Sequence, residues 1–319
     1  MSIEEPEPIP LYRDQPEWKD VQPIYNSERE NAVIKIAASE EFIDAFAYLR
    51  AVMSKNEMSE RALELTKTCT MLNAANYSVW QYRRNILKAL NKDIAEELRF
   101  CEEMAAENPK NYQIWHHRRM LVLMSNDYSQ ELEFTTIQLE DDSKNYHAWQ
   151  YRQWVIQNFD LFSVEEVKFA TVCLAQDLRN NSAWNYRYFI VSKLSDGFKD
   201  KEYLENEVRF TLGAIKTIPN NESSWSYLAG ILINEGLTKR QDVNDFCASL
   251  LTQQPPIKST HLRNFVIDQL AERIEQRDNV EDCVKQAHLI LAELEEQDPI
   301  RTKYWQYRKT YLDNLAAFT

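Results

Sequence analysis

Two short phrases hold most of the side chains in this sequence that could do chemistry: Lys110-Asn111-Tyr112 and Lys144-Asn145-Tyr146-His147. Each sets an ammonium, an amide and a phenol in consecutive positions. A third phrase, Ala75-Asn76-Tyr77, repeats the amide and the phenol without the lysine. All three stand just ahead of a Trp-headed amphipathic stretch, so each reads as a loop entering a helix. The first N–H groups of such a helix are unpaired and its dipole end is positive. Lysine and phenol donors at that place suit recognition of an anion, and a diphosphate in particular. His147 takes the position of Gln113 in the preceding copy and, beside a Lys and a Tyr, could donate to phosphate. Residue by residue, a plainer reading stays open. A lysine in a first-turn loop is commonly just solvated, an asparagine there commonly just caps the helix, and an isolated histidine is commonly structural.

Other chemistries lack the residues they need. No carboxylate/His cluster has zinc spacing, and G-x-S-x-G, Walker A and G-x-G-x-x-G motifs are absent. His116 and His117 precede Arg118 and read as packing residues rather than metal ligands. The five cysteines (Cys69, Cys101, Cys173, Cys247, Cys283) lie at least 32 residues apart, with no C-x-x-C pair. Buried, inert thiols are therefore expected, not disulfides or a thiolate metal site. A formal charge of −13 argues against nucleic acid as a partner. Within it, Asn73 to Asn126 holds eight Lys/Arg against six Asp/Glu, a stretch of +2 that is electrostatically open to an anion. No run of 18 apolar residues exists, so no membrane insertion is expected. Met1 to Asp20 is acidic and Pro-rich, unlike a signal or transit peptide, which points to a cytoplasmic protein.

The loops must be positioned by the elements around them, and these repeat. Six of the eight tryptophans head similar phrases: Asn76-Tyr-Ser-Val-Trp80-Gln-Tyr-Arg83, Asn111-Tyr-Gln-Ile-Trp115-His-His-Arg118, Asn145-Tyr-His-Ala-Trp149-Gln-Tyr-Arg152 and Asn180-Asn-Ser-Ala-Trp184-Asn-Tyr-Arg187, with looser copies at Trp225 and Trp305. Successive Trp spacings are 35, 34, 35, 41 and 80; the last is twice 40, so a copy lacking its Trp is expected at Thr260-His-Leu-Arg-Asn-Phe265. A period near 34 to 40 marks an array of helical hairpins. Ile94 to Glu107 reads as one helix of a pair, with Leu98, Cys101, Met104 and Ala105 on a shared face. Breakers such as Asn108-Pro-Lys, Asp141-Asp-Ser-Lys and Pro219-Asn-Asn-Glu separate it from the Trp helix. With four glycines in 319 residues, the composition also favours helices. The predicted fold is all-α: a right-handed superhelical crescent of about seven antiparallel hairpins over residues 39–319. Residues 1–38 would form a mostly extended, Pro-rich arm that orders, if at all, on a partner. The recurring Trp reads as an inter-helix wedge with its indole N–H satisfied nearby, and the Arg three residues later as the partner of a carboxylate or a helix-end carbonyl. Stacked hairpins would set neighbouring loops along one rim, roughly 10 Å apart.

Asn-Tyr-x-x-Trp-x-x-Arg at this period resembles the repeat of protein prenyltransferase α subunits, and the likeness runs nearly end to end. It takes in Leu11-Tyr-Arg-Asp-Gln-Pro-Glu-Trp18, Pro109-Lys-Asn-Tyr-Gln-Ile-Trp-His-His-Arg-Arg119, Lys144-Asn-Tyr-His-Ala-Trp149, Arg179-Asn-Asn-Ser182 and Asn221-Glu-Ser-Ser-Trp225. The phrases look like the α subunit shared by farnesyltransferase and geranylgeranyltransferase type I. The Rab-type geranylgeranyltransferase α subunit is the near alternative, and a tetratricopeptide-like peptide-binding scaffold without catalysis is the more distant one. The resemblance implies a heterodimer that moves a farnesyl, and also a geranylgeranyl, group from its diphosphate to the Cys of a C-terminal C-a-a-X motif. It implies that a β subunit carries the zinc, that this chain binds no cofactor and is inactive alone, and that any magnesium belongs to the diphosphate in the complex. By the same resemblance Lys110 would be catalytic and contact the diphosphate, with Tyr146, His147 and Asn145 as further diphosphate-binding residues. Gln113 would bind the peptide carboxylate, Tyr112 would line the isoprenoid and peptide cleft, and Tyr77 would flank it on the peptide side.

Overall fold

The computed structural model describes residues 11–26, 37–255 and 257–318. Among them are fifteen α-helices and no strand, as the composition and the period predict. The chain divides into two compact units, Met1–Val155 and Ile156–Thr319, with the division falling inside the seventh helix.

In the first unit, α1 (Glu40–Ser54) precedes the pairs α2 (Glu60–Leu72) with α3 (Tyr77–Ala89), α4 (Ile94–Glu107) with α5 (Tyr112–Ser125), and α6 (Glu131–Asp141) with α7 (Tyr146–Asn158). α3 and α5 pack side by side. The second unit continues with α8 (Val164–Gln176) and α9 (Asn181–Leu194), α10 (Lys201–Thr217) and α11 (Glu222–Ile231), α12 (Gln241–Thr252) and α13 (Thr260–Glu275), then α14 (Val280–Gln297) and α15 (Thr302–Phe318). There α9 packs on α11, α11 on α13, and α13 on α15. Seven hairpins follow α1, and the copy expected without its Trp is α13, whose Phe265 ring meets Trp225 at 5.3 Å.

Five of the six Trp helices are each started by one asparagine. Its side-chain oxygen accepts from first-turn N–H groups: Asn76 from Ser78, Asn111 from Gln113, Asn145 from His147, Asn180 from Ser182 and Asn221 from Ser223. Such a cap is worth about 1 kcal/mol per helix. The tryptophan then folds back on its own loop. The indole N–H of Trp80, Trp115, Trp149, Trp184 and Trp225 donates to the carbonyl six residues earlier, at 2.8–3.0 Å. In the sixth copy the buried Trp305 N–H has no such partner.

Four arginines three residues after Trp, Arg83, Arg118, Arg152 and Arg187, are buried, and three of them meet a glutamate of a following helix. Arg83 grips Glu97, Arg118 grips Glu131 and Arg187 grips Glu207, each through two hydrogen bonds of 2.7–2.9 Å. The same carboxylates accept from the next Trp helix: His117 on Glu97, Tyr151 on Glu131 and Tyr227 on Glu207. Each guanidinium also lies over a phenylalanine three residues beyond its glutamate: Phe100, Phe134 and Phe210. Three helices are thus tied at one buried charge, and removing the carboxylate would leave a cation stranded in low dielectric.

One expectation needs correction. Residues 11–26 are not an extended arm awaiting a partner. They form two 3₁₀ turns, Tyr12–Asp14 and Pro16–Trp18, and bury Tyr12, Trp18 and Val21 against α1 and α2. The Tyr12 N–H donates to Asp44 Oδ2 at 2.6 Å, its hydroxyl to Thr68 Oγ1 at 2.8 Å, and Arg61 clamps Asp20 from both nitrogens. The acidic, proline-rich average of the segment concealed three apolar anchors at a spacing that turns can present to one face. The remainder of the expected arm, 1–10 and 27–36, lies outside the described residues.

Candidate functional site

The loops ahead of α5 and α7 are joined by hydrogen bonds that set their register. Pro109 O accepts both the Trp115 indole N–H of its own repeat and Asn145 Nδ2 of the next. Asp142 links them a second time: Oδ1 accepts the Lys144 N–H at 3.1 Å, and Oδ2 faces Lys110 Nζ at 3.4 Å. Lys110 is three-quarters exposed, so this pair holds the ammonium weakly.

His147 lies beneath this surface. It is 8 % exposed, its ring meets the Tyr112 ring edge-on at 4.3 Å, and Tyr146 stands 5.6 Å away. Burial pushes its imidazole below the usual histidine range, and a hydrogen bond to the Lys110 backbone opposes that shift. The result is a neutral ring at pH 7 that braces the lysine loop. Tyr112 and Tyr146 are 67 % and 60 % exposed, and their hydroxyls have no hydrogen-bond partner among the described residues.

The structure therefore brings Lys110, Tyr112, Tyr146 and His147 together, in one contiguous patch of an ammonium, two phenols and an imidazole. Tyr77 occupies the same register one repeat earlier and is exposed; no hydrogen bond or ring pair joins it to the patch among the described residues. Gln113 is half-buried on the first turn of α5. Two expected donors are placed differently. Asn145 is 2 % exposed, its carbonyl caps α7 and its amide donates to Pro109 O, so it fixes the loops rather than facing a ligand. His147 is covered by Tyr112 and serves Lys110 from below. The capping position accounts for Asn145, whose side-chain oxygen is spent on the first turn of α7.

The sequence reading missed the glutamates that pair with the repeat arginines. A signal existed in Glu97-x-x-Phe100, Glu131-x-x-Phe134 and Glu207-x-x-Phe210. Glu97, Glu131 and Glu207 are all under 5 % exposed. The described residues hold no cluster of three His, Cys, Asp or Glu arranged for a metal ion. Four of the five thiols are buried, and burial pushes Cys101 and Cys247 up to about 12.

The family model for the protein prenyltransferase alpha subunit repeat matches residues 59–90, 94–125, 128–159, 163–194 and 204–234. The chain is 39 % identical over 336 residues to the protein farnesyltransferase/geranylgeranyltransferase type-1 subunit alpha of Pisum sativum, covering 99 % of both chains. The protein of the same name from Solanum lycopersicum is 38 % identical, over 94 % of this chain and 90 % of its own. The chain belongs to the protein prenyltransferase α-subunit family. Among solved structures, the one titled Candida albicans protein geranylgeranyltransferase-I complexed with GGPP has a chain that superposes with a TM-score of 0.82. That chain is 28 % identical to this one, and the match covers 92 % of this chain and 97 % of that one. The prenyltransferase repeats bracket the patch: 94–125 carries Lys110, Tyr112 and Gln113, and 128–159 carries Asn145, Tyr146 and His147. No helix among the described residues is long and apolar enough to cross a membrane.

Proposed function

We propose that this chain is the α subunit of a heterodimeric protein prenyltransferase, transferring farnesyl or geranylgeranyl from its diphosphate to the Cys thiol of a C-terminal C-a-a-X motif. The observation that carries the reading is the exposed Lys110 ammonium, flanked by the Tyr112 and Tyr146 phenols on two interlocked repeat loops. The relatives named for both prenyl groups, matched over 90–99 % of their length, support it.

In the reaction the thiolate sulfur attacks C1 of the isoprenoid, an S–C bond forms, and the C–O bond breaks with its electron pair passing to the diphosphate. Charge grows on that leaving group as the bond opens. Lys110 supplies a cation there and Tyr146 a hydroxyl donor, both held on the interlocked loops, so that little reorganisation is needed at the moment of reaction. His147 holds the Lys110 backbone. Tyr112 gives the isoprenoid and peptide an aromatic wall, Tyr77 extends that wall by one repeat, and Gln113 offers an amide to the peptide's terminal carboxylate. Zinc, which would lower the pKa of the substrate thiol and hold it as thiolate, is assigned to the β subunit; magnesium, where used, would bind with the diphosphate.

Co-expression with a candidate β subunit, followed by transfer assays with both diphosphates, tests the reading. An obligate zinc-containing heterodimer that prenylates a C-a-a-X peptide is expected. A stable monomer that binds peptides, takes up no β subunit and shows no transfer in its presence would identify a scaffold instead.

A further inference from the structure

Arg84 is only 7 % exposed, yet no carboxylate of the described residues lies within 4 Å of its guanidinium. Nη1 meets His117 Nδ1 at 3.2 Å and Nη2 donates to Gln81 Oε1 at 2.8 Å. His117 Nε2 donates to Glu97 at 2.8 Å, which leaves Nδ1 as an acceptor and the ring neutral. Both partners of Arg84 are therefore uncharged. Arg83, Arg118 and Arg187, equally buried, each hold a glutamate through two bonds. A guanidinium this far from water without an opposite charge is the costly arrangement among the four.

Arg84 is not alone. Tyr77, Gln81 and Arg84 fall at spacings of four and three along α3, and Tyr112, His116 and Arg119 repeat that stripe along the adjoining α5. His116 and Arg119 are exposed and make no ion pair among the described residues; the Arg119 guanidinium lies 4.6 Å over the Trp154 ring. Burial first, and then the charges of Arg84 and Arg119, push the His116 imidazole below its usual range, so the three groups share one electrostatic neighbourhood. In a chain of −13, this face carries two guanidiniums, Arg84 and Arg119, that pair with no acid among the described residues.

We infer that the α3–α5 face bearing Arg84, His116 and Arg119 docks an acidic segment of the partner subunit, whose carboxylates supply the counter-charge that Arg84 lacks. The inference rests on the heterodimer reading and adds the chemistry of the contact. A buried ion pair completed on assembly disfavours the free chain and rewards the correct partner.

The test is assembly of the full chain with its β subunit, followed by sedimentation at about 0.05 M and about 0.5 M NaCl. Arg119→Glu, on an exposed position, is expected to weaken assembly about tenfold or more at low salt and less at high salt, while Arg119→Lys stays near wild type. Arg84→Met is expected to weaken assembly similarly; thermal melting of the isolated chain shows whether it is folded, and if it is not, Arg119→Glu alone decides. Assembly of Arg119→Glu and of folded Arg84→Met as strong as that of wild type at both salts would overturn the inference and leave the heterodimer reading intact. Failure of the wild-type chain to pair with any β subunit would overturn both. Inorganic pyrophosphate is the competing occupant: if its binding to the isolated chain is lost in Arg119→Glu while assembly is unchanged, the face is a ligand site and the inference fails.

Discussion

Replacing Lys110 by alanine removes one ammonium and little else. Its pair with Asp142 spans 3.4 Å with the lysine 75 % exposed, and a pair so solvated is worth about 0–1 kcal/mol. Folding stability of the isolated chain should therefore change by less than about 1 kcal/mol, and the wild-type amine gives up no more than that when it turns to a ligand. In the proposed mechanism the same amine stands opposite a leaving diphosphate and answers charge that develops only as the C–O bond opens. Loss of one such donor lowers the chemical step about 10- to 10³-fold, or about 1.4–4 kcal/mol of barrier. Rapid-mixing single turnover, with the heterodimer saturated in both substrates, reads that step directly. Peptide affinity, measured separately, should change far less. Lys110→Arg keeps the charge and should recover part of the rate. Asp142→Asn frees the amine while keeping the loop, and should leave the step within a few-fold of wild type. A Lys110→Ala rate within about twofold of wild type would remove Lys110 from the mechanism; an equal fall in Asp142→Asn would mean that loop shape, not charge, was lost.

Glu131→Ala would strand the Arg118 guanidinium and the Tyr151 hydroxyl in the core, destabilising the chain by about 3–5 kcal/mol in urea unfolding; a loss under about 1 kcal/mol would contradict the buried-triad account. Burial lowers the folded-state pKa of His117, and also those of His116, His147 and His261, below the ordinary value of 6.5. The unfolded chain then binds protons first, so stability is complete above pH 6.5 and declines as the pH falls below it; a melting temperature that rises on acidification from neutrality would refute this. His147→Ala should slow the chemical step by loosening the Lys110 backbone, and its effect should largely vanish when Lys110 is already alanine. Additive losses in that double-mutant cycle would make His147 a direct donor instead.

The fold was legible because the repeat carries its own punctuation. Five asparagines, each four residues before a tryptophan, mark helix starts that the structure places to the residue, and the Trp period counts the hairpins even where Phe265 replaces the indole. Lys110, Tyr112 and Tyr146 were legible as side chains that stacking does not require. Their depth was not. Whether His147 meets a ligand or supports Lys110 depends on a 4.3 Å contact with a tyrosine 35 residues earlier, and nothing local to either phrase encodes it. Arg84 was hidden for the opposite reason: beside Arg83 it reads as one more repeat arginine. Its distinction is the lack of a carboxylate, visible only once the neighbouring helices are in place.

The repeat skeleton also explains why the candidate chemistry sits on these loops. Around each of the first five repeat tryptophans the fold uses an asparagine four positions before, a carbonyl six before and, in four of these copies, an arginine three after. The positions five, three and two before it carry no such duty and read Ala/Lys/Lys/Arg/Asn, Tyr/Tyr/Tyr/Asn/Glu and Ser/Gln/His/Ser/Ser in successive copies. Substitution there leaves the asparagine cap and the indole bond untouched, so donors can change while that part of their mounting does not. Placement is then supplied by the constant residues: Pro109 O, engaged by both Trp115 and Asn145, holds the backbone on which Lys110 rides. A cation that must meet developing charge within a few tenths of an ångström needs such a mounting more than it needs burial. That is why the proposed mechanism gives the leaving group to the exposed lysine on a doubly tied loop rather than to any of the buried arginines.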